Sequence, residues 1–228
     1  MNKERFIVIE GTDGSGKTVQ LELLKERLTS EGKIVKTVDF PQYSETFFGE
    51  MVGRFLRGDF GGLDQVDPHL AALVYAGDRW QAKEKISRWL AEGALVLANR
   101  YTGANMAFQT ARVTEEKRDE FLDWLEELEY RIYQIPREDI VIFLHVPVKI
   151  SQQLLEKKGH RDYLGGQRKD INESNVEYQK EVEKVYFKLI EKYPHWVLVE
   201  CCDKEGQLMP PEKIHELVYN ALRERKII

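Results

Sequence analysis

The segment that most restricts how this chain can fold is residues 6–28. Phe6 to Ile9 is a short apolar run rich in β-branched residues, the pattern of a strand buried on both faces of a parallel sheet. "GTDGSGKT", Gly11 to Thr18, follows at once, and Leu21, Leu23, Leu24 and Leu28 then recur at helical spacing as far as Gly32. The loop satisfies G-x-x-x-x-G-K-[ST] in the strand–loop–helix setting that gives this pattern its meaning. Glycines let backbone N–H groups curl around a phosphate chain, and the helix N-terminus adds positive potential. Lys17 brings a mobile cation to the phosphates, and the Thr18 hydroxyl is a ligand for Mg²⁺. A glycine-rich turn that matched by chance would lack the flanking elements. Gly11, Thr12, Asp13, Gly14, Ser15, Gly16, Lys17 and Thr18 are therefore expected to bind a nucleoside triphosphate. Glu10 and Asp13 place carboxylates beside those phosphates, which is repulsive unless they serve another purpose. Asp13 suits a sugar hydroxyl of an acceptor or a Mg²⁺-bound water; the bland alternative is a solvated turn aspartate.

The rest of the chain alternates strands and helices. Ile34 to Phe40 reads as a strand stopped by Pro41, and Phe47 to Leu56 as a helix ended by "RGDFGG". Asp67-Pro68 opens a long helix to about Glu92, and Ala94 to Ala98 is a third strand. Thr114 is expected to cap a helix with Glu115 and Glu116 at its positive end. Its buried face would be Phe121, Trp124, Leu125, Leu128 and Ile132, and Pro136 ends the segment. Ile140 to His145 is a strand, and Pro147 opens a helix from Val148 to about Leu155. "KKGHRDYLGGQRKD", residues 157–170, is basic, has two adjacent glycines and reads as a mobile loop. A helix burying Val182, Val185, Tyr186, Leu189 and Ile190 follows, then a strand at Trp196 to Glu200 and a helix over 210–224. This alternation predicts an α/β fold with a parallel sheet, one domain over 1–228 with a lid at about 157–172.

With 228 residues the chain suffices for one sizeable domain. A net charge of -5 provides no whole-molecule attraction for nucleic acid, although a basic cleft can still hold a small anion. The two cysteines, Cys201 and Cys202, are adjacent, so a bridge between them would be strained. That fits a reducing compartment. No apolar run approaches the length of a signal core or a membrane span. The expectation is a soluble cytoplasmic protein with neither membrane nor nucleic-acid partners.

"VLANRYTGANMAFQ", residues 96–109, ends the third strand on Asn99, Arg100 and Tyr101. Polar groups at a buried strand tip are costly without partners. Arg100 falls in the crevice region where open α/β sheets bind ligands.

The phosphate loop, "YAGDRW", "NRYTGANMAFQ" and the basic segment, in this order and spacing, resemble the thymidylate kinases over nearly the whole chain. Only the loop is specific by itself; the four together are far more so. The resemblance implies a three-layer P-loop NTPase fold on about five parallel strands, a homodimer, and phosphoryl transfer from ATP with Mg²⁺ to dTMP, which makes ATP the triphosphate bound by Gly11 to Thr18. It assigns catalytic roles to Lys17, Arg100 and Asp13, and to Arg161 and Arg168 of the lid, with Lys169 behind them. It also implies that Phe40 and Pro41 wall a base pocket approached by Tyr43, and that Tyr75 stacks on the base. Arg79 would donate to the thymine 4-keto oxygen and reject cytosine, because a guanidinium has donors only. Arg100 would fork onto the acceptor phosphate. Asn105 and Gln109 would line base and sugar, and Phe108 the 2′ side of the deoxyribose. Thr18 would face the metal, with Asp13, Asn99 and Glu173 as further candidates and Asp170 nearby.

Taken alone, Asp78-Arg79 reads as a solvated pair, Phe40 as core packing and the basic run as a solvated charge cluster. The chain also departs from the family pattern. Gln42 stands where arginine is common, Ala104 where serine is, Phe108 where tyrosine is, and Tyr75 where phenylalanine is usual. Gly14 occupies the place of a loop arginine found in some members. Asn99 stands where the pattern has aspartate, keeping the shape and one acceptor oxygen but losing the charge. Two rivals follow: a kinase of another nucleotide or deoxynucleoside, with Glu10 as the nearest base, and a non-catalytic nucleotide-binding sensor, suggested by Asn99.

Overall fold

The computed structural model describes residues 5–156, 170–173 and 175–228. Strands β1 (Arg5–Glu10), β2 (Val35–Asp39), β3 (Leu95–Asn99), β4 (Ile140–His145) and β5 (Trp196–Glu200) form one parallel sheet in the order β2-β3-β1-β4-β5. β1 is central, and Phe6, Ile7, Val8 and Ile9 have no exposure at all. A strand apolar on both faces needs cover on both, and the period of two sorts its side chains between them. Ile7 and Ile9 pack with Leu21, Leu24 and Leu28 of α1 (Lys17–Ser30) and with Ile214, Val218 and Leu222 of α8 (Pro211–Glu224). Phe6 and Val8 face the other way, toward α3 (Pro68–Ala91), α4 (Thr102–Thr110), α5 (Arg118–Glu126) and α7 (Val176–Lys192). α2 (Phe47–Leu56) lies outside α3, and α6 (Val148–Glu156) follows β4. The expected strands are all present, within a residue of their expected ends, and the fold is the three-layer α/β arrangement.

Two local features differ from the sequence reading. α4 has no polar face, because Thr102, Gly103 and Asn105 to Thr110 are all buried. A helix wrapped on every side carries no amphipathic period to read. The second is the segment after Thr114. Thr114 makes no side-chain cap; a 3₁₀ turn (Glu115–Lys117) leads into α5, which continues as a π-helix over Glu127–Ile132. A π turn takes in an extra residue, so side chains beyond it rotate off the α spacing. Ile132, expected on the buried face, is 54% exposed, and Glu129 is turned inward instead.

The strands end along one edge on Glu10, Asp39, Asn99, His145 and Glu200. β2 and β3 are register partners at Asp39 and Asn99, and β4 and β5 at His145 and Glu200. The chain leaves β1 toward β2 on one side and later crosses to β4 on the other, which opens a crevice at this edge.

Two predictions follow from this packing. A Cβ on Gly49, in the first turn of α2, would lie 2.0 Å from the Gln42 carbonyl oxygen, a backbone atom that cannot swing aside. Gly49→Ala should cost about 2–3 kcal/mol, read from urea unfolding at constant m-value. His145 Nδ1 lies 2.6 Å from Glu200 and Nε2 3.2 Å from Glu183 of α7. Burial alone would lower its pKa, but the two carboxylates outweigh burial and raise it above the usual histidine value. The stabilisation is therefore complete below the unfolded-state pKa and fades as pH rises through the folded one. The stability gap between the wild type and His145→Asn should be larger at pH 6 than at pH 8; an equal gap at both would remove His145 from the account.

Candidate functional site

The glycine-rich loop between β1 and α1 is held where only small residues fit. A Cβ on Gly11 would meet Ser15 Oγ at 2.4 Å and the Leu144 carbonyl oxygen at 2.8 Å. At Gly14, with φ +84°, it would meet the Ser151 carbonyl oxygen of α6 at 2.5 Å. Lys17 is buried over the loop, its Nζ donating to the carbonyl oxygens of Thr12 (2.8 Å) and Gly11 (3.1 Å). Beside the loop is an open cavity lined by Gly14 to Gln20, Leu154, Leu208, Met209, Pro211 and Ile214. It is apolar beyond the loop, a shape suited to a flat base attached to a phosphate chain.

A second cleft opens across the loop. Its walls come from Pro41 and Tyr43 after β2, Leu56 of α2, Tyr75 of α3, Arg100 after β3, and Ala104, Phe108 and Gln109 of α4. Asp13 and the pair Asp170 and Asn172 complete it. Arg100 sits at φ 65°, a left-handed conformation that non-glycine residues adopt at a cost. The twist turns its guanidinium back across the strand ends. Nη2 lies 2.5 Å from Asp13 Oδ1, Nη1 is 3.5 Å from the Tyr186 hydroxyl, and the guanidinium rests over the Phe108 ring. Burial alone would lower its pKa, but Asp13, Tyr186 and Glu10 outweigh it, so the side chain stays cationic.

Glu10 has no exposure, and both its oxygens are engaged. Oε1 accepts from the backbone N–H groups of Tyr101 (2.8 Å) and Ala104 (2.9 Å), and Oε2 from the Tyr186 hydroxyl (3.0 Å). Burial raises its pKa, opposed by Arg100, the Tyr101 N–H, Tyr186 and Lys17.

Three expected base-site residues stand elsewhere. Arg79 is 2% exposed and forks onto Glu129, Nε at 3.0 Å from Oε2 and Nη2 on Oε1. The π-helix that turned Glu129 inward supplies this partner, and Arg79 is not among the residues that line the cleft. Asn105 donates to the same carboxylate (3.0 Å) and to the Ala72 carbonyl (3.1 Å), beneath α4 instead of on the cleft wall. Phe40 packs against Tyr101 in the core, and Pro41 alone of that pair lines the cleft. Asp78 is likewise no solvated residue: it accepts from Gln42 N (2.9 Å) and from the Thr46 hydroxyl that caps α2. Gln42 turns its side chain to Lys85, away from the cleft.

The metal candidates separate as well. Asn99 Nδ2 donates to Asp39 Oδ1 at 2.8 Å and reaches the Thr18 hydroxyl at 3.3 Å, while Asn99 Oδ1 is buried without a hydrogen-bond partner. Asp39 went unnoticed in the sequence; only the register of β2 against β3 places it there. Asp170 Oδ1 accepts from the N–H groups of Asn172 and Glu173, and Glu173 is 1% exposed behind them. No group of three or more His, Cys, Asp or Glu among the described residues could hold a metal. The Thr18 hydroxyl and the Asp39 carboxylate still fit Mg²⁺, which keeps several waters and takes its remaining ligands from phosphates, while Asn99 turns its amide nitrogen toward both. Lys157, Lys158, Arg161, Arg168 and Lys169 lie outside the described residues. Tyr186 was legible only as a core position of α7 and Tyr178 was not singled out, yet Tyr178 donates to the Phe108 carbonyl (2.6 Å) and Tyr186 to Glu10.

Comparison with known proteins gives the family. The family model described as thymidylate kinase matches residues 9–208. A probable thymidylate kinase of Thermococcus onnurineus is 32% identical over 199 residues, covering 85% of this chain and 88% of that protein. The thymidylate kinase of Mycobacterium tuberculosis is 27% identical over 184 residues, 81% of this chain and 85% of its own. The solved structure of thymidylate kinase from Candida albicans superposes with a TM-score of 0.77 over 98% of this chain and 93% of that one, at 20% identity, which speaks to the fold. The chain belongs to the thymidylate kinase family.

Proposed function

We propose that this protein transfers the γ-phosphoryl group of ATP to dTMP, giving ADP and dTDP. The observation that carries the reading is the position of Arg100 between the phosphate loop and a cleft walled by Tyr75, Phe108 and Gln109. The loop would hold the donor's phosphates, and the apolar cavity beside it the donor's base. Asp13 lines the acceptor cleft and orients Arg100. Pro41, Tyr43 and Tyr75 form an aromatic and apolar wall for the base, and Gln109 supplies the polar edge. Arg79, tied to Glu129, braces the wall from behind.

An acceptor phosphate oxygen is already anionic, so attack on the γ-phosphorus requires no strong base. As that oxygen–phosphorus bond forms, the bond from the γ-phosphorus to the bridging oxygen breaks, and ADP leaves. The protein's task is to align the two polyanions, offset their repulsion and exclude water. Lys17 and Arg100 supply charge from the described residues. Mg²⁺ bound with ATP would neutralise developing charge on the phosphates. Thr18 would hold it, with Asn99 and Asp39 reaching its waters. The lid roles of Arg161, Arg168 and Lys169 rest on their order and charge in the sequence.

The geometry disfavours a nucleoside acceptor. Such a hydroxyl would need a base, and Glu10 has both oxygens hydrogen-bonded and no exposure. We further propose one domain over 1–228, acting as a homodimer in the cytoplasm. Phe47, Leu70 and Trp80, exposed on α2 and α3, favour an apolar contact with a second copy. Cys201 and Cys202 are free thiols. Among the described residues no helix is long and apolar enough to cross a membrane.

A coupled assay with dTMP, dUMP, dCMP and dGMP tests the acceptor: dTMP should give the highest kcat/KM. Tight binding of ATP and dTMP by calorimetry with no product would instead make the protein a sensor. Arg100→Met should lower kcat/KM for dTMP by about 10²-fold or more, since it removes donors aimed at the reacting phosphates. Near wild-type turnover in a folded variant would refute the role of Arg100.

A further inference from the structure

Arg112 is a half-buried guanidinium that none of the roles above employs. It sits in the turn after α4 and makes no ion pair with any described residue. Its partners are neutral oxygens: Nη1 donates to Gln109 Oε1 at 2.6 Å, and Nη2 to the carbonyls of Leu63 (2.7 Å) and Val66. Nε is buried with no partner, and the guanidinium lies 5.8 Å from the Phe55 ring centre. Holding a charge this way is a costly means of bracing a loop, because desolvation is not offset by an opposite charge. The arrangement makes more sense for what it does to Gln109.

Gln109 is 1% exposed and lines the acceptor cleft. A glutamine amide has two flips, and they differ chemically, because one end only donates and the other only accepts. A guanidinium can bond only the oxygen. Arg112 therefore fixes Oε1 on its own side and leaves Nε2, which has no other hydrogen bond, as the donor at the cleft. The oxygen keeps a second lone pair. In this flip the amide complements a base edge with a carbonyl beside a ring N–H, as in thymine or uracil. Cytosine carries an amino group and a bare ring nitrogen there, and needs the opposite flip. An amide free to turn would serve both bases.

We propose that Arg112 is a positioning residue for acceptor selection: by holding Gln109 Oε1, it locks the carboxamide in the flip that accepts a 4-keto pyrimidine and opposes a 4-amino one. This rests on the reading that the cleft binds dTMP. The same guanidinium pins the segment between α2 and α3 through Leu63 and Val66. That segment starts beside Leu56, whose carbonyl accepts from Ile171 N at 3.1 Å. The base-reading amide is thus braced by the same loop that meets the residues following the basic segment.

The test is the ratio of kcat/KM for dTMP to that for dCMP in the full-length wild type, Arg112→Met, Arg112→Lys and Gln109→Glu, each checked by thermal melting. Arg112→Met should lower the ratio by about 10- to 100-fold, acting on KM more than on kcat. Arg112→Lys keeps one donor for Oε1 and should retain most of the ratio. Gln109→Glu keeps its bond to Arg112 but turns an acceptor to the cleft, so preference should move toward dCMP. An unchanged ratio in folded Arg112→Met, with wild-type preference intact, overturns this proposal alone. If Arg112→Met does not fold, Gln109→Glu decides, and an unchanged ratio there overturns it equally. A wild type without preference for dTMP overturns the acceptor assignment and this proposal together.

Discussion

Glu10 is a carboxylate with no exposure to water, and the crevice is built around keeping it satisfied. It ends the central strand, so whatever bonds to it is fixed relative to the whole sheet. Through Tyr101 N and Ala104 N it seats the first turn of α4, where a helix start presents N–H groups without helical partners. Through the Tyr186 hydroxyl it seats α7. Gly103 permits the approach, since a Cβ there would lie 3.0 Å from Oε1 and 2.5 Å from the Trp196 ring. Arg100 and Lys17 oppose the tendency of burial to raise the Glu10 pKa without cancelling it, and Glu10 in turn helps keep Arg100 cationic. One strand-tip carboxylate thereby fixes both the position and the charge of the chemistry at this edge.

Three arginines show how surroundings, not residue type, decide use. Arg79 forks onto Glu129 through Nε and Nη2, inside the fold. Arg100 also has a carboxylate, but Asp13 occupies one arm of the guanidinium at the edge of a cleft. Arg112 has only neutral oxygens, one of them on a side chain that lines that cleft. A fork with five donors can serve as a brace, a clamp or an orienter, according to which acceptors the fold puts in reach. The resemblance placed Arg79 on the base from its spacing to Tyr75 along α3. That spacing is real, but the π-helix brought Glu129 to it first.

Much of the arrangement was legible in the residues. Phe6 to Ile9 followed by the glycine-rich loop and a leucine-spaced helix left few alternatives to a buried parallel strand with a phosphate site at its tip. The strand–helix alternation gave the architecture, because strands covered on both faces and helices covered on one leave different periods. α4 left no period, being buried all round. The π-helix left none either, because it follows the α spacing until the turn at which it breaks it. Asp39 looked like an ordinary strand end, and its closeness to Thr18 and Asn99 exists only through strand register.

The sequence by itself determined the local chemistry: a loop that can hold phosphates, an asparagine where charge was expected, and arginines near the strand tips. Those follow from covalent identity and short-range spacing, which the chain carries before it folds. Only the tertiary structure decided which arginine faces the cleft, which amide is held in one orientation, and which carboxylate lies beside the metal-binding hydroxyl. Each depends on a contact between residues far apart in the chain: Arg79 with Glu129, Arg112 with Leu63 and Val66, Asp39 with Asn99. Such pairings are set by strand order and by the depth at which helices pack, and neither is encoded in any one segment.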